Sequence, residues 1–349
     1  MPRLEPPLDQ SVAPDHHSIG HMTSASSRNA SLDALRVLSL FGIVTLHVAG
    51  GGFADNKPFG FVVDELSRFA VPVFFLMSAY FWKDADLASP LRLAGKVARR
   101  VMPAFAIILA LTVALRLLEG GRPGFELTPD GLLLLLWSGG PAFHLWFLPA
   151  LVLGSAVVAM LMKLTGLRWT IVMTLALYGI GTLIGAYSRP LFGHGFPFWM
   201  DRNGLFFAPV FLVAGIVLRR HRTALAGLPV PAIVAALVLF AALHLAEGYF
   251  VVGRYALGHD YSLATLGYAL SVAVLFMRIE LTSPLWSILG QATFGAYLIH
   301  LLVLKVLAGN LGLGRYSLLM IALGFSISLG LAVAWRAGRA ALARYRATA

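Results

Sequence analysis

Along most of the chain, apolar runs of nearly 20 residues alternate with short polar or basic segments. Such a run forms a helix long enough to cross a bilayer core, because about 20 residues rising 1.5 Å each cover about 30 Å. Ten runs are predicted to do so: about 32–50, 62–82, 101–118, 143–163, 169–187, 204–219, 230–248, 261–278, 286–307 and 315–336. The sixth is short. The run LLLLLW at 132–137 is too short to cross and fits a re-entrant or interfacial helix. Residues 1–30 are polar and lack the apolar core of a signal peptide, so a disordered cytoplasmic tail is expected. His16, His17 and His21 within it could bind metal, but a floppy tail is the better reading. Residues 337–349 form a basic cytoplasmic tail. The predicted fold class is an all-α polytopic membrane protein of about ten transmembrane helices, with residues 31–336 as one domain and no internal repeat. No appended catalytic domain is expected, since the chain ends about a dozen residues after the last run.

Composition sharpens this. Of 349 residues, 58% are hydrophobic and only 12% charged, against about 25% charged in soluble domains. Mean hydropathy is +0.80. A soluble enzyme, a disordered protein and a nucleic-acid-binding module are all excluded. The net charge of +11 has another origin. With the N-terminus inside, the basic residues crowd onto the cytoplasmic side: Lys83, Arg92, Lys96, Arg99 and Arg100 in one loop, Arg219, Arg220 and Arg222 in another, and Arg336, Arg339, Arg344 and Arg346 from the end of the last run onward. This bias predicts N-in/C-in topology. The absence of cysteine excludes disulfides, Cys-ligated metal and thiolate nucleophiles; no metal site is expected.

Ionisable residues inside apolar runs carry the candidate chemistry. Arg36 and His47 are eleven residues apart on the first helix. That spacing is within about 20° of three full turns, so both project from one face about 16 Å apart along the axis. Arg36 near the helix start is either a snorkelling anchor or an anion ligand. His47, deep in the run, is costly unless functional, and its pKa suits proton transfer. In the second run, Asp64, Glu65 and Arg68 stand at i,i+3 and i,i+4 spacing and can pair with one another. Pro72 should kink that helix. Ser78 lies at the level of Arg36, where its hydroxyl either meets a ligand or bonds back to its own helix. The segment KDADLASPLRLAGKVARRVMP is the most basic loop, an inside anchor or a site for a cytosolic polyanion. FHLWFLPALVLG places His144 and Trp146 at the outer interface, and FGAYLIHLLVL places His300 about 21 Å along its helix. His47, His144 and His300 then fall on one layer. His47 and His300 are expected to face one outward-opening cavity, with His144 at its rim.

In this order, LDALRVLSLFGIVTLHV, SRFAVPVFFLMSAYF, the basic run ending RRVMP, HLWFLPAL and FGAYLIHLLV resemble the acyltransferase-3 family of bacterial membrane acyltransferases over residues 31–336. The resemblance implies about ten helices in the cytoplasmic membrane. It also implies transfer of an acyl group from cytosolic acyl-coenzyme A, a co-substrate with no permanently bound cofactor, to hydroxyls of carbohydrates, glycolipids or small natural products. The family's essential Arg and His fall on Arg36 and His47. Its FFxxSGF-type motif falls on Phe74, Phe75, Ser78, Ala79 and Tyr80, with Ala79 in place of glycine. Lys96, Arg99 and Arg100 stand where the family has an Arg-x-x-Arg-like motif, at altered spacing.

The expected machinery follows. His47 deprotonates the acceptor hydroxyl or relays the acyl group, with Glu65 to orient it. Arg36, Ser78, Lys96, Arg99 and Arg100 hold the donor. Arg68, His144, Trp146, Tyr297 and His300 line the acceptor cavity. A transporter or flippase of lipid-linked sugars is the rival class, and a non-catalytic sensor a weaker one. A transporter also needs buried ionisable residues and a midplane cavity, but often shows repeated halves.

Overall fold

The computed structural model describes residues 30–53, 56–257 and 259–348. The expected N-terminal tail, with its three histidines, lies outside the described residues. Every regular element described is helical. The first five are α1 (Ala30–Gly52), α2 (Lys57–Ser67), α3 (Ala70–Tyr80), α4 (Asp84–Leu87) and α5 (Pro90–Leu118). α6 (Pro129–Ser138), α7 (Phe147–Ile184), α8 (Ser188–Phe192), α9 (Ala208–Arg220) and α10 (Arg222–Ala226) follow. α11 (Val230–Glu247), α12 (Leu263–Arg278), α13 (Pro284–Lys305) and α14 (Ser317–Thr348) complete the bundle.

Six segments among the described residues are long and apolar enough to cross a membrane: Ala30–Gly50, Pro90–Leu118, Pro129–Ile184, Val230–Val252, Pro284–Asn310 and Ser317–Ala347. This is the architecture of a polytopic membrane protein. The difference from ten has identifiable causes. The fourth and fifth predicted runs lie in one helical stretch that bends at Gly166, whose φ of 73° a side chain would resist. The sixth and eighth are α9 and α12, of 13 and 16 residues. The second is broken into α2 and α3, of 11 residues each. Pro72 explains that break: it has no N–H to bond the Arg68 carbonyl, and its ring crowds that carbonyl. The chain therefore restarts at Ala70, upstream of the proline itself. Gly42 of α1 packs at this point. A Cβ there would lie 2.9 Å from Ala70 Cβ and 3.2 Å from the Ser67 carbonyl, so the lack of one lets α1 close on the break.

α1 is the hub, packed against α13, α14, α2 and α3. Ser31 ties the start of α1 to the connection between α12 and α13: its hydroxyl donates to the Ile279 carbonyl and accepts from Leu281 N–H at 2.9 Å. The basic loop is largely helix. Pro90 opens α5, so Lys96, Arg99 and Arg100 ride one helical face at i,i+3 and i,i+4. The predicted short helix at 132–137 is α6, whose leucines are mostly exposed. α14 continues through the basic tail to Thr348.

Candidate functional site

Arg36, Ile43 and His47 stand seven and four residues apart, one stripe of α1. Tyr297, His300 and Leu304 form the buried stripe of α13, at spacings of three and four. α1 and α13 pack together, so the stripes meet. The His47 and His300 ring centroids are 5.0 Å apart, and those of His144 and His300 are 5.3 Å apart. The three histidines come from α1, α13 and the 3₁₀ segment Gly140–Trp146 between α6 and α7. Two glycines with positive φ, Gly139 (78°) and Gly140 (50°), turn that segment inward. Among the described residues, no group of three or more His, Asp or Glu is arranged to hold a metal ion.

Carbonyls fix two of the rings. His300 Nδ1 lies 2.5 Å from the Tyr297 carbonyl, which can only accept, so Nδ1 carries the proton. Nε2 is then an acceptor, and it is buried with no partner. His144 Nε2 lies 3.4 Å from the Leu298 carbonyl, a longer contact that likewise leaves Nδ1 as the acceptor. The Tyr297 hydroxyl donates to the His144 carbonyl and locks the 3₁₀ segment onto α13.

Two cavities meet at these rings. The larger, about 500 Å³, is lined by His47, His144, Phe143, Thr112, Arg116 and Lys305 among others. It lies at the end of the bundle where α1, α5 and α13 finish. The smaller, about 40 Å³, is lined by Ile43, His47, Phe74, His144, Trp146 and Tyr297 among others. Ile43 is one turn from His47 toward Arg36, so this cavity points to the opposite end. Two expectations change here. His144, expected at the rim, is 4% exposed and sits in the floor of both cavities. His300, expected to face a cavity, is fully buried and backs His47 instead.

The FFxxS-like motif supports this floor. Phe75 packs on Phe147, Phe207 and Trp146, at centroid distances of 4.5, 5.7 and 6.1 Å. The Ser78 hydroxyl donates back to the Phe74 carbonyl at 2.8 Å. Arg36 pairs with Asp33, and its guanidinium lies 5.0 Å from the centre of the Phe81 ring. Lys96 pairs with Asp86 at 2.8 Å, while Arg99 and Arg100 are exposed. Arg219 and Arg220 both bond Asp84, at 2.6 and 3.0 Å, and hold its carboxyl below the usual range. These cations share the end of the bundle away from His47. Neither cavity reaches Arg36, Ser78, Lys96, Arg99 or Arg100.

Glu65 and Arg68 belong to a second buried cluster, which corrects both assignments. Glu65 Oε2 lies 2.9 Å from His244 Nε2 and 3.4 Å from His259 Nε2. Arg68 pairs with Asp64, approaches Glu65 at 3.5 Å and donates to the His259 carbonyl. His244 Nδ1 lies 3.0 Å from Ser262 Oγ. Glu65 thus faces His244 of α11 and His259 of the loop before α12. It does not orient His47, and Arg68 lines neither cavity. The cause is the break before Pro72, which sets α2 against α11. His244, in the apolar run of α11, was findable by the criterion that singled out His47. His259 and Asp260 sit in a loop with no such signal. Arg202 was also missed: it bonds Asp260 at 2.8 Å and stacks over Trp146 at 5.2 Å and Phe198 at 4.3 Å.

Comparison with known proteins bears on this arrangement. A serine/alanine racemase of Enterococcus gallinarum is 25% identical over 209 residues, 56% of this chain and 30% of that protein. An amino-acid racemase of Enterococcus faecalis is 29% identical over 212 residues, 54% of this chain and 29% of that protein. The chain thus spans less than a third of the length of these curated relatives. No solved structure matches it. The acyltransferase-domain profile of the acyltransferase-3 family matches residues 29–336, most of the sequence. The chain belongs to the acyltransferase-3 family.

Proposed function

We propose that this protein is an integral-membrane O-acyltransferase. It moves an acyl group, acetyl being the expected one, from cytosolic acyl-coenzyme A to a hydroxyl of a carbohydrate or glycolipid. The observation that carries this reading is that two cavities from opposite directions share His47 and His144. An acceptor in the larger cavity and a small acyl group in the smaller would meet there. In the same reading all ten predicted runs cross the bacterial cytoplasmic membrane, N-in/C-in, which puts the basic end with Arg36 in the cytosol.

The acceptor hydroxyl lies in the larger cavity. Its oxygen attacks the thioester carbonyl while His47 takes the proton. The C–O bond forms, the C–S bond breaks, and the thiolate leaves with the proton from His47. The products are an ester and free coenzyme A. His300 replaces Glu65 as the group that orients the base, since its ring abuts His47 and its Nε2 is an unused acceptor. Arg36, Lys96, Arg99 and Arg100 hold the donor phosphates, and the pantetheine arm covers the roughly 16 Å of helix between Arg36 and His47.

Incubating purified protein with radiolabelled acetyl-coenzyme A and candidate glycans tests this. Labelled ester is expected; transport of a lipid-linked sugar with no labelled product would refute it. Label retained on the protein without acceptor would mark a covalent relay. Arg36→Ala should weaken acyl-coenzyme A binding about ten-fold or more, since a charged hydrogen bond contributes about 1.5–3 kcal/mol. Lysine should rescue it only partly, lacking the bidentate fork. Calorimetry showing unchanged donor affinity would make Arg36 a membrane anchor.

A further inference from the structure

The larger cavity has features that a site for a free sugar does not need. Its walls are chiefly apolar, with Val48, Leu115, Leu301, Leu302 and Met320 among them. One wall is α5, whose flank adjoining the cavity is exposed at Ile107 (66%), Leu111 (42%) and Leu118 (84%). In a membrane that side meets lipid. α5 packs on α7 and on the 3₁₀ segment, and touches α13 only lightly. The space between α5 and α13 therefore lies beside the hydrocarbon rather than inside the bundle.

Two cations stand in the last turns of these helices. Arg116 of α5 and Lys305 of α13 both line the cavity. Lys305 bonds Glu119 at 2.5 Å. Arg116 Nε donates to the Arg122 carbonyl at 3.3 Å, which leaves the two terminal amino groups of its guanidinium for a ligand. Helix ends are where charged side chains meet the headgroup layer. A planar guanidinium there matches a phosphate. The volume of about 500 Å³ falls within the range of small-molecule sites, about 300–1,000 Å³.

We infer that the acceptor is a saccharide carried on a lipid through a phosphate. It enters sideways between α5 and α13, with its chain in the apolar gap, its phosphate on Arg116 and its sugar on His47. This rests on the acyltransferase reading for the sugar's fate, but the binding itself does not. Loading from the bilayer raises the local acceptor concentration and lets the phosphate set the register of the hydroxyl.

Native mass spectrometry of the full chain tests binding apart from catalysis. The probes are farnesyl phosphate, farnesol, glucose 1-phosphate and phosphatidylglycerol. Farnesyl phosphate should bind at least ten-fold tighter than farnesol or glucose 1-phosphate, and tighter than phosphatidylglycerol. Arg116→Gln should remove most of that preference. Ala308→Trp, which fills the cavity and keeps both charges, should weaken farnesyl phosphate and farnesol alike. Equal binding of farnesyl phosphate and farnesol, or no effect of Arg116→Gln, would overturn the inference. So would equal binding of phosphatidylglycerol, which would make the gap a site for bulk anionic lipid. Labelled ester on a free glycan, with no preference for the lipid phosphate, would sink the inference and leave the acyltransferase reading standing. Lipid-phosphate binding with no ester on any acceptor would do the reverse.

Discussion

His47→Ala is expected to lower acyl transfer by about 10²–10⁴-fold, the usual cost of removing a general base, if His47 acts as proposed. The variant should still fold and still bind donor, because His47 is only partly buried and borders a cavity rather than filling packed core. Donor binding measured beside turnover separates the two effects. His300→Ala should produce a smaller loss, since it removes orientation and not the base. His300→Asn should recover part of it by restoring an acceptor. Wild-type turnover in well-folded His47→Ala would end the assignment. A larger loss in His300→Ala than in His47→Ala would exchange the two roles.

Glu65→Ala is expected to destabilise the fold by about 3–5 kcal/mol, as breaking a buried ion pair does. Glu65 is fully buried, and two histidines and Arg68 converge on it. Its loss leaves Arg68 with Asp64 and the His259 carbonyl, and removes the carboxylate that both imidazoles face. The contact of α2 with His244 of α11 and that with the His259 ring go with it, while the bond from Arg68 to the His259 carbonyl stays. Thermal unfolding in detergent should show a clear fall in Tm, and folded yield should drop. Glu65→Gln keeps one acceptor oxygen and should fall between Ala and wild type. Had Glu65 been the partner of His47, Glu65→Gln would melt normally and lose transfer. A normal melt with lost transfer in both variants would therefore return Glu65 to the catalytic site.

The assignments of Glu65 and Arg68 show where sequence reasoning failed. Asp64, Glu65 and Arg68 were legible as a pairing set, because i,i+3 and i,i+4 neighbours meet on any helix. Their further partners were not legible. His259 lies 194 positions from Glu65 along the chain, and nothing local links a loop residue to it. The histidine layer was legible in height, because depth along a helix follows from residue count. The burial of His144 was not, because it depends on a turn at Gly139 and Gly140 that hydropathy does not report.

By itself the sequence determined the all-helical membrane class, the alignment of Arg36 with His47 and the family. Each of these is local: apolar run length, helical period and short motifs are carried by consecutive residues. Tertiary structure decided the rest. It broke the second run ahead of Pro72 and gave Glu65 and Arg68 to α11. It also set His300 behind His47 and joined two cavities at the pair formed by His47 and His144. Those outcomes depend on which helix faces packed together. Apolar faces in lipid are nearly interchangeable, so packing there is chosen by small residues, bends and buried polar pairs. These act between segments far apart in the chain, and hydropathy does not record them.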